Sequence, residues 1–485
     1  MKFTFFHTVL LLVLIGLPCS QQAQEISSIE LPEMGDSSGT LMTPDEENEF
    51  GEAFFRSLNA QITINQDAEI QQYIQTLGEK LVVSSDAPAH PFHFFVVLEN
   101  DINAFAGPGG YIGVNSGLFI MTEAESELAS VLAHEIAHVT QRHLFRAAEA
   151  AQRLTIPTMA ATLAAILLGS QSPAMGQAAI MAIQAGSVQF QINFTRENEE
   201  EADRVGMQAL AHAQFDPRSM PTFFERLQQS TRYYGQNIPE FLRTHPVTAS
   251  RISDTRGRAD TYPYKQYPDS LYYQLTKAKI RALTAQDLPE IARYFQAKSA
   301  QGITEQRVVA RYGLGLILLK MQKYKEAEVI FLALHEAYPN QVQYASALAK
   351  VAVEAKDVKT ALQRYQQLSE YYPDNQAIKM ELISTLVKAE KPEQAKALML
   401  TLNARVKTSP LYWQMLAQIY SKLMQPIESH RYLAEYYYAM GHTQEAILHI
   451  KLAQKAKGMN QFLAAILNER LNFFLIKVHD GQLRH

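Results

Sequence analysis

The chain has 485 residues, 44 of them basic and 49 acidic, for a formal net charge of −5, and it holds a single cysteine. That length implies two to three domains, and a mild charge balance without a basic block excludes a nucleic-acid partner. One cysteine excludes a disulfide framework, which domains of this size do not need.

The N-terminus begins with Lys2, an apolar run from Val9 to Leu17, and small or polar residues to about Ala23. This order predicts a secretory signal peptide over 1–23, its apolar run being too short to span a bilayer. Cys19 follows Pro18, a poor context for lipidation, so cleavage is expected between Ser20 and Ala23, leaving a mature chain without cysteine. Residues 24–43 read as a flexible polar leader. Thr43-Pro44-Asp45-Glu46 then predicts a capped first helix with Pro44 in its first position.

Phe92 to Leu98 predicts a buried strand, Gly107-Pro108-Gly109-Gly110 a turn, and Tyr111 to Val114 a second short strand. If Tyr111 to Val114 were an edge strand, an extended peptide could add to it through main-chain hydrogen bonds. A plain hairpin fits the same residues.

His134-Glu135-Ile136-Ala137-His138 follows. Residues four apart on a helix share a face, so His134 and His138 can present imidazole nitrogens to one metal ion, with Glu135 beside them to take a proton from its water. Leu128, Val131, Leu132, Ile136 and Val139 give the helical apolar spacing, and Thr122-Glu123-Ala124-Glu125 reads as its capping box.

Two histidines do not hold a catalytic zinc; a third protein ligand is required. The donor is expected in the acidic run Arg196 to Asp203. Glu199 and Asp203 are four apart, with Ala202, Gly206 and Leu210 near the same side, so this helix can lie close against the first. Glu199 could reach the metal while Asp203 orients a ligand histidine. Spacing by itself leaves Glu197, Glu199, Glu200 and Glu201 open as the ligand.

Between these motifs, Leu154 to Ala185 is rich in Ala, Leu, Ile and Met and is broken by Gly169 to Pro173. The expectation is a helical hairpin packed partly on the core; the alternative is a lid making peripheral membrane contact. Further on, Thr244-His245-Pro246 and Arg251 are expected in a polar loop, since Pro246 disfavours helix at His245. His245 could donate to the oxyanion of the tetrahedral intermediate, or bind the metal as a fourth ligand and close the site.

HEIAH followed by EEEAD resembles the CAAX-protease-like branch of the gluzincin metalloproteases, whose second motif is ExxxD, and Asn103 to Leu118 is similar to that family's strand and turn before the catalytic helix. The resemblance runs from about Pro44 to Ile252. It implies one Zn2+ per chain held by His134, His138 and Glu199, with Glu135, Asp203 and His245 as catalytic residues. A His/His/Glu set could also accept other divalent ions.

In the C-terminal half, Ala327, Ala361 and Ala395 are 34 apart, as are Pro339 and Pro373, and as are Leu314, Leu348, Leu382 and Leu416. Phe331, Tyr365 and Met399 recur four after each alanine. This is the tetratricopeptide period. The register breaks after Ser429, Gly441-His442-Thr443-Gln444-Glu445-Ala446 suggests one more helix pair, and 262–302 reads as a capping unit.

The expected fold is therefore α+β: a mostly helical, zincin-like metalloprotease domain with a small β-sheet over 44–262, then an all-α tetratricopeptide solenoid over 263–485. Such repeats bind peptides or proteins on their concave face and raise the local concentration of what they bind. The resemblance, joined to the repeats, implies a periplasmic zinc endopeptidase. Its substrates would be unfolded or misassembled outer-membrane proteins, and its partner the β-barrel assembly machinery, reached through the repeats. The alternative is a chaperone or assembly scaffold whose protease site is normally closed.

Overall fold

The structure, a computed structural model, describes residues 42–87, 90–149, 196–234 and 239–482. The expected signal segment, nearly all of the leader, and the stretch from Leu154 to Ala185 lie outside the described residues.

Helix α1 (Pro44–Asn59) opens on the expected cap: Thr43 accepts from the Glu46 amide and the Glu46 side chain reaches back to the Thr43 amide. Helix α2 (Ala68–Val82) is capped by Asp67 and buries Ile70, Tyr73, Ile74, Leu77 and Leu81. Strands β1 (His93–Val97), β2 (Ala104–Ala106) and β3 (Tyr111–Asn115) form one sheet in the order β1-β3-β2, with β1 parallel and β2 antiparallel to β3. The second expected strand is therefore central, paired on both sides, and cannot receive a peptide. β2 lies at the edge of the sheet, and its outer side carries no strand among the described residues.

Helices α3 (Ser116–Met121), α4 (Glu125–Thr140) and α5 (His143–Glu149) follow, then α6 (Arg196–His212), α7 (Ser219–Tyr234), α8 (Glu240–Thr244) and α9 (Ala249–Ala259). The expected capping box on α4 does not form. Thr122 Oγ1 bonds the Phe119 carbonyl and Tyr273, while Glu125 accepts from Tyr73 and Ser270. Buried tertiary partners outcompete the local cap.

Helix α10 (Leu271–Thr284) joins two cores: Tyr273 and Ile280 enter the core built from α2, the sheet and α4, whereas Leu275, Ala278 and Ala282 enter that of the repeats. Successive antiparallel pairs then run from Thr304 to Gln482. The alanines at 327, 361 and 395 and the large residues at 331, 365 and 399 are fully buried where helices cross. The turns between paired helices place Gln322, Lys356, Glu390 and Met424, each 34 after the last, in the left-handed region.

The repeats rest on the N-terminal half. Ala68 packs in the core that includes Ile378 and Leu416, Arg56 stacks on Tyr438 at 4.6 Å, and Arg405 pairs with Glu79. Lys279 on α10 lies 2.7 Å from both Asp67 and Glu69 at the start of α2. The N-terminal half thus occupies part of the surface that the repeats present. Burial alone would push the Asp67 carboxyl up, but Lys279 holds it below the ordinary value of 3.8. A lowered native pKa contributes stability above the ordinary value that is lost as pH falls through the native one. Asp67→Asn should therefore cost about 1.5–3 kcal/mol at pH 7, with the gap to wild type closing below pH 3.8. Urea unfolding across pH checks this; a gap that persists in acid would contradict it.

Candidate metal centre

Helix α4 is buried on every side. Leu128, Leu132 and Ile136 are at most 1% exposed, and so, within 2%, are the polar His134, Glu135 and His138. A buried polar cluster needs internal partners. Helix α6 brings them: at Gly206 the two helices approach so closely that a Cβ would sit 2.9 Å from the Ala133 carbonyl oxygen, and Ala202 packs against Ala137. Of the four acidic residues left open by spacing, Glu199 is the one that reaches His134 and His138. Glu197 is exposed, Glu200 pairs with Arg196, and Glu201 turns to Arg146.

His134, His138, Glu199 and His245 each place one donor atom within 4.8 Å of all the others. His134 Nε2 and His138 Nε2 are 3.0 Å apart. Glu199 lies 3.4 Å from His138 Nε2 and 3.5 Å from His134 Nε2. His245 Nδ1 lies 2.9 Å from Glu199 and 3.5 Å from His134 Nε2. A tetrahedron with metal–ligand bonds of about 2.0–2.1 Å has edges of roughly 3.3 Å, so this donor set fits zinc. Glu135 adjoins the set without belonging to it. Its carboxyl is fully buried, 3.5 Å from His245 Nε2, and neither oxygen has a well-formed hydrogen bond.

The surroundings fix each ligand. Asp203 Oδ1 lies 3.0 Å from His134 Nδ1, which leaves Nε2 for the metal. Arg251, 1% exposed, donates from Nε and Nη2 to the two Asp203 oxygens at 2.7 and 2.8 Å. Its Nη1 reaches Glu199 at 2.7 Å and the Pro246 carbonyl at 2.9 Å. Arg251 thus ties the ligand helix to the segment that carries His245. It stands in the first turn of α9 rather than in the loop expected from sequence, because Thr248 caps that helix. His245 itself ends α8, as Pro246 requires.

Two further residues were missed from sequence. His143 Nδ1 lies 2.9 Å from His138 Nδ1, and its Nε2 lies 3.1 Å from Glu201, which Arg146 holds at 2.8 Å. His138 is thereby oriented by a His–Glu pair, as His134 is by Asp203. A histidine one turn beyond the motif and a spare carboxylate in the acidic run were the available signals.

Burial pushes the Glu135 carboxyl up and holds the His138 imidazole well below its ordinary value, so His138 is neutral and ready to ligate. Burial opposes charge on His134 too, yet Asp203 and Glu199 lift it to about 9. Glu199 would rise on burial, but His245, His134 and His138 keep it well below the carboxylate range. A metal ion here displaces protons.

Residues 68–259 match Peptidase family M48, and 352–419 match a tetratricopeptide repeat. A Vibrio cholerae relative is 41% identical over 348 residues, 71% of this chain and 72% of its own length. The beta-barrel assembly-enhancing protease of Escherichia coli K12 is 34% identical over 421 residues, 87% of this chain and 86% of its own. This chain belongs to peptidase family M48. Its similarity extends to a mitochondrial metalloendopeptidase of Schizosaccharomyces pombe, 29% identical over 180 residues, 37% of this chain and 50% of that one. The M48 peptidase is thus a metalloendopeptidase with a C-terminal repeat region, of α+β fold. Among the described residues no helix is long and apolar enough to cross a membrane.

Proposed function

We propose that this protein is a periplasmic zinc endopeptidase that degrades unfolded or misassembled outer-membrane proteins and meets the β-barrel assembly machinery through its repeats. The observation that carries the chemistry is a fully buried Glu135 carboxyl set beside, and outside, a His/His/Glu donor set. The name borne by its relatives supports the substrate class and the envelope location.

One zinc per chain, held by His134, His138 and Glu199, would supply Lewis-acid polarisation of the peptide carbonyl and a readily deprotonated water. Glu135 takes the proton from the attacking water and returns it to the leaving amine, base first and acid second. Burial favours the protonated form that it takes after accepting the water's proton. Asp203 keeps the His134 tautomer fixed, and Arg251 balances the charge of Asp203 and Glu199. The free edge of β2, packed on α4, is the place for an extended substrate.

The position of His245 supports a closed resting site. Four protein donors complete a tetrahedron, and a catalytic zinc needs one position open. His245 would hold the metal as the fourth ligand at rest; the alternative role is donation to the oxyanion in an open site. The same position supports the second reading, an assembly scaffold that cuts only when a client opens it.

The test is digestion of a urea-unfolded outer-membrane barrel protein. Zinc-loaded protein should cleave it slowly, chelation should stop cleavage, and one equivalent of zinc per chain should restore it. His245→Ala should cut about tenfold faster, the scale of one displaced ligand interaction. Cleavage indifferent to chelation would overturn the metalloprotease reading; a slower His245→Ala protein would overturn the closed site and leave oxyanion donation.

A further inference from the structure

A narrow cleft opens beside the metal centre. It is lined by His138 and Val139, by the Gly107-Pro108-Gly109 turn, by Leu144 and Phe145, and by Glu47 and Arg142. The space left is about what one water molecule needs.

Two of these walls are built not to yield. Helix α1 packs backbone on backbone against the turn. A Cβ at Gly51 would stand 2.8 Å from both the Gly109 Cα and the Pro108 carbonyl oxygen, and one at Gly107 would stand 2.2 Å from the Phe54 ring. Gly109 itself sits at φ +67°, where a side chain is strained. On the opposite side Phe145 is 6% exposed and belongs to the same apolar core as Phe50 and Phe54. The Arg142 guanidinium lies 4.7 Å over its ring. Arg142 is tied in turn to Glu47 at 3.4 Å, and Glu47 lies 3.3 Å from His90. Close-packed interiors resist added volume, so a cleft with such walls selects by size. Glu47 and Gly51 precede residue 68, where the M48 match begins, so this wall is supplied from outside the matched region.

We infer that this cleft is the subsite for one substrate side chain next to the scissile bond, that it admits small apolar side chains and rejects aromatic and long aliphatic ones, and that Phe145 sets its depth. The inference rests on the protease reading and names the sequences that such a protease would cut. Continuity with His138 places the subsite at the reacting bond. An apolar lining discriminates by fit, where each methylene in or out of register changes the rate about tenfold or more. Loops and strand ends of unfolded proteins that offer Gly or Ala at the cut are then the preferred targets.

The experiment uses the zinc-loaded full-length protein and a random dodecapeptide library, with cleavage positions read by mass spectrometry. Wild type, Phe145→Ala and Leu144→Ala are compared, each also in a His245→Ala background so that a closed site does not hide the answer. Wild type should favour Gly and Ala over Phe and Leu by about tenfold at one fixed position from the cut. Phe145→Ala should lose that bias at the same position and keep the preferences elsewhere. Leu144→Ala, a half-buried and milder change, should relax it in part and guards against misfolding of the first variant. Bulky residues already favoured in wild type, or one unchanged cleavage pattern in all three, would overturn the subsite. No cleavage in either background would overturn the protease reading itself, and the subsite with it.

Discussion

Glu135→Gln should retain one zinc per chain and lose about 10³-fold in kcat/KM on a defined peptide. The substitution keeps the size of a fully buried side chain, so packing around α4 is preserved. It removes a carboxyl that belongs to no ligand and lies beside the donor set. A carboxamide cannot accept the water's proton or return one to the amine, and positioned acid–base catalysis contributes about 10²–10⁴-fold. Metal affinity should stay near wild type, because His134, His138 and Glu199 and their partners are untouched. Peptide hydrolysis and metal content measured on the same preparation decide the matter. A rate within tenfold of wild type would remove Glu135 from the mechanism, and lost metal would make it part of the binding site. The variant also separates protease from scaffold: assembly that survives Glu135→Gln belongs to the scaffold reading.

Arg251→Met should be among the most destabilising single changes in the molecule, by about 3–5 kcal/mol in the metal-free protein. The side chain is 1% exposed and lies against the carboxylates of both Asp203 and Glu199. Methionine fills much of the space but leaves two buried carboxylates without the guanidinium that pairs with both. Burial opposes the charge on each of them. Zinc compensates for part of this through Glu199, so the loss should be smaller in the loaded protein. The Pro246 carbonyl also loses its donor, which frees the segment that carries His245. Urea unfolding with and without zinc tests both halves. A loss under about 1 kcal/mol in the metal-free protein would show that Asp203 and Glu199 are balanced by the histidines instead.

Much of the site was legible in the sequence because helical periodicity is rigid. His134 and His138, like Glu199 and Asp203, needed only a four-residue spacing to share a face. The alanines at 327, 361 and 395 needed only a period of 34. The cap at Thr43 formed because its partners are three residues apart and no distant group competes for them. The cap at Thr122 failed because Tyr273, 151 residues away, takes its hydroxyl.

What spacing cannot supply is which face meets which. The acidic run offered four glutamates, and the close approach at Gly206 selected Glu199. The sequence allowed Tyr111 to Val114 to be an edge strand, and pairing with both β1 and β2 made Tyr111–Asn115 central. His245 and His143 entered the site through contacts of 2.9 Å to Glu199 and His138, distances that no local pattern encodes. The same holds for Lys279 on Asp67 and for α1 against the glycine turn. Local propensity and periodicity determined the elements and the ligand types by themselves. The tertiary packing of buried charges, each of which must find a partner, decided which residues face the metal and how the repeats rest on the protease half.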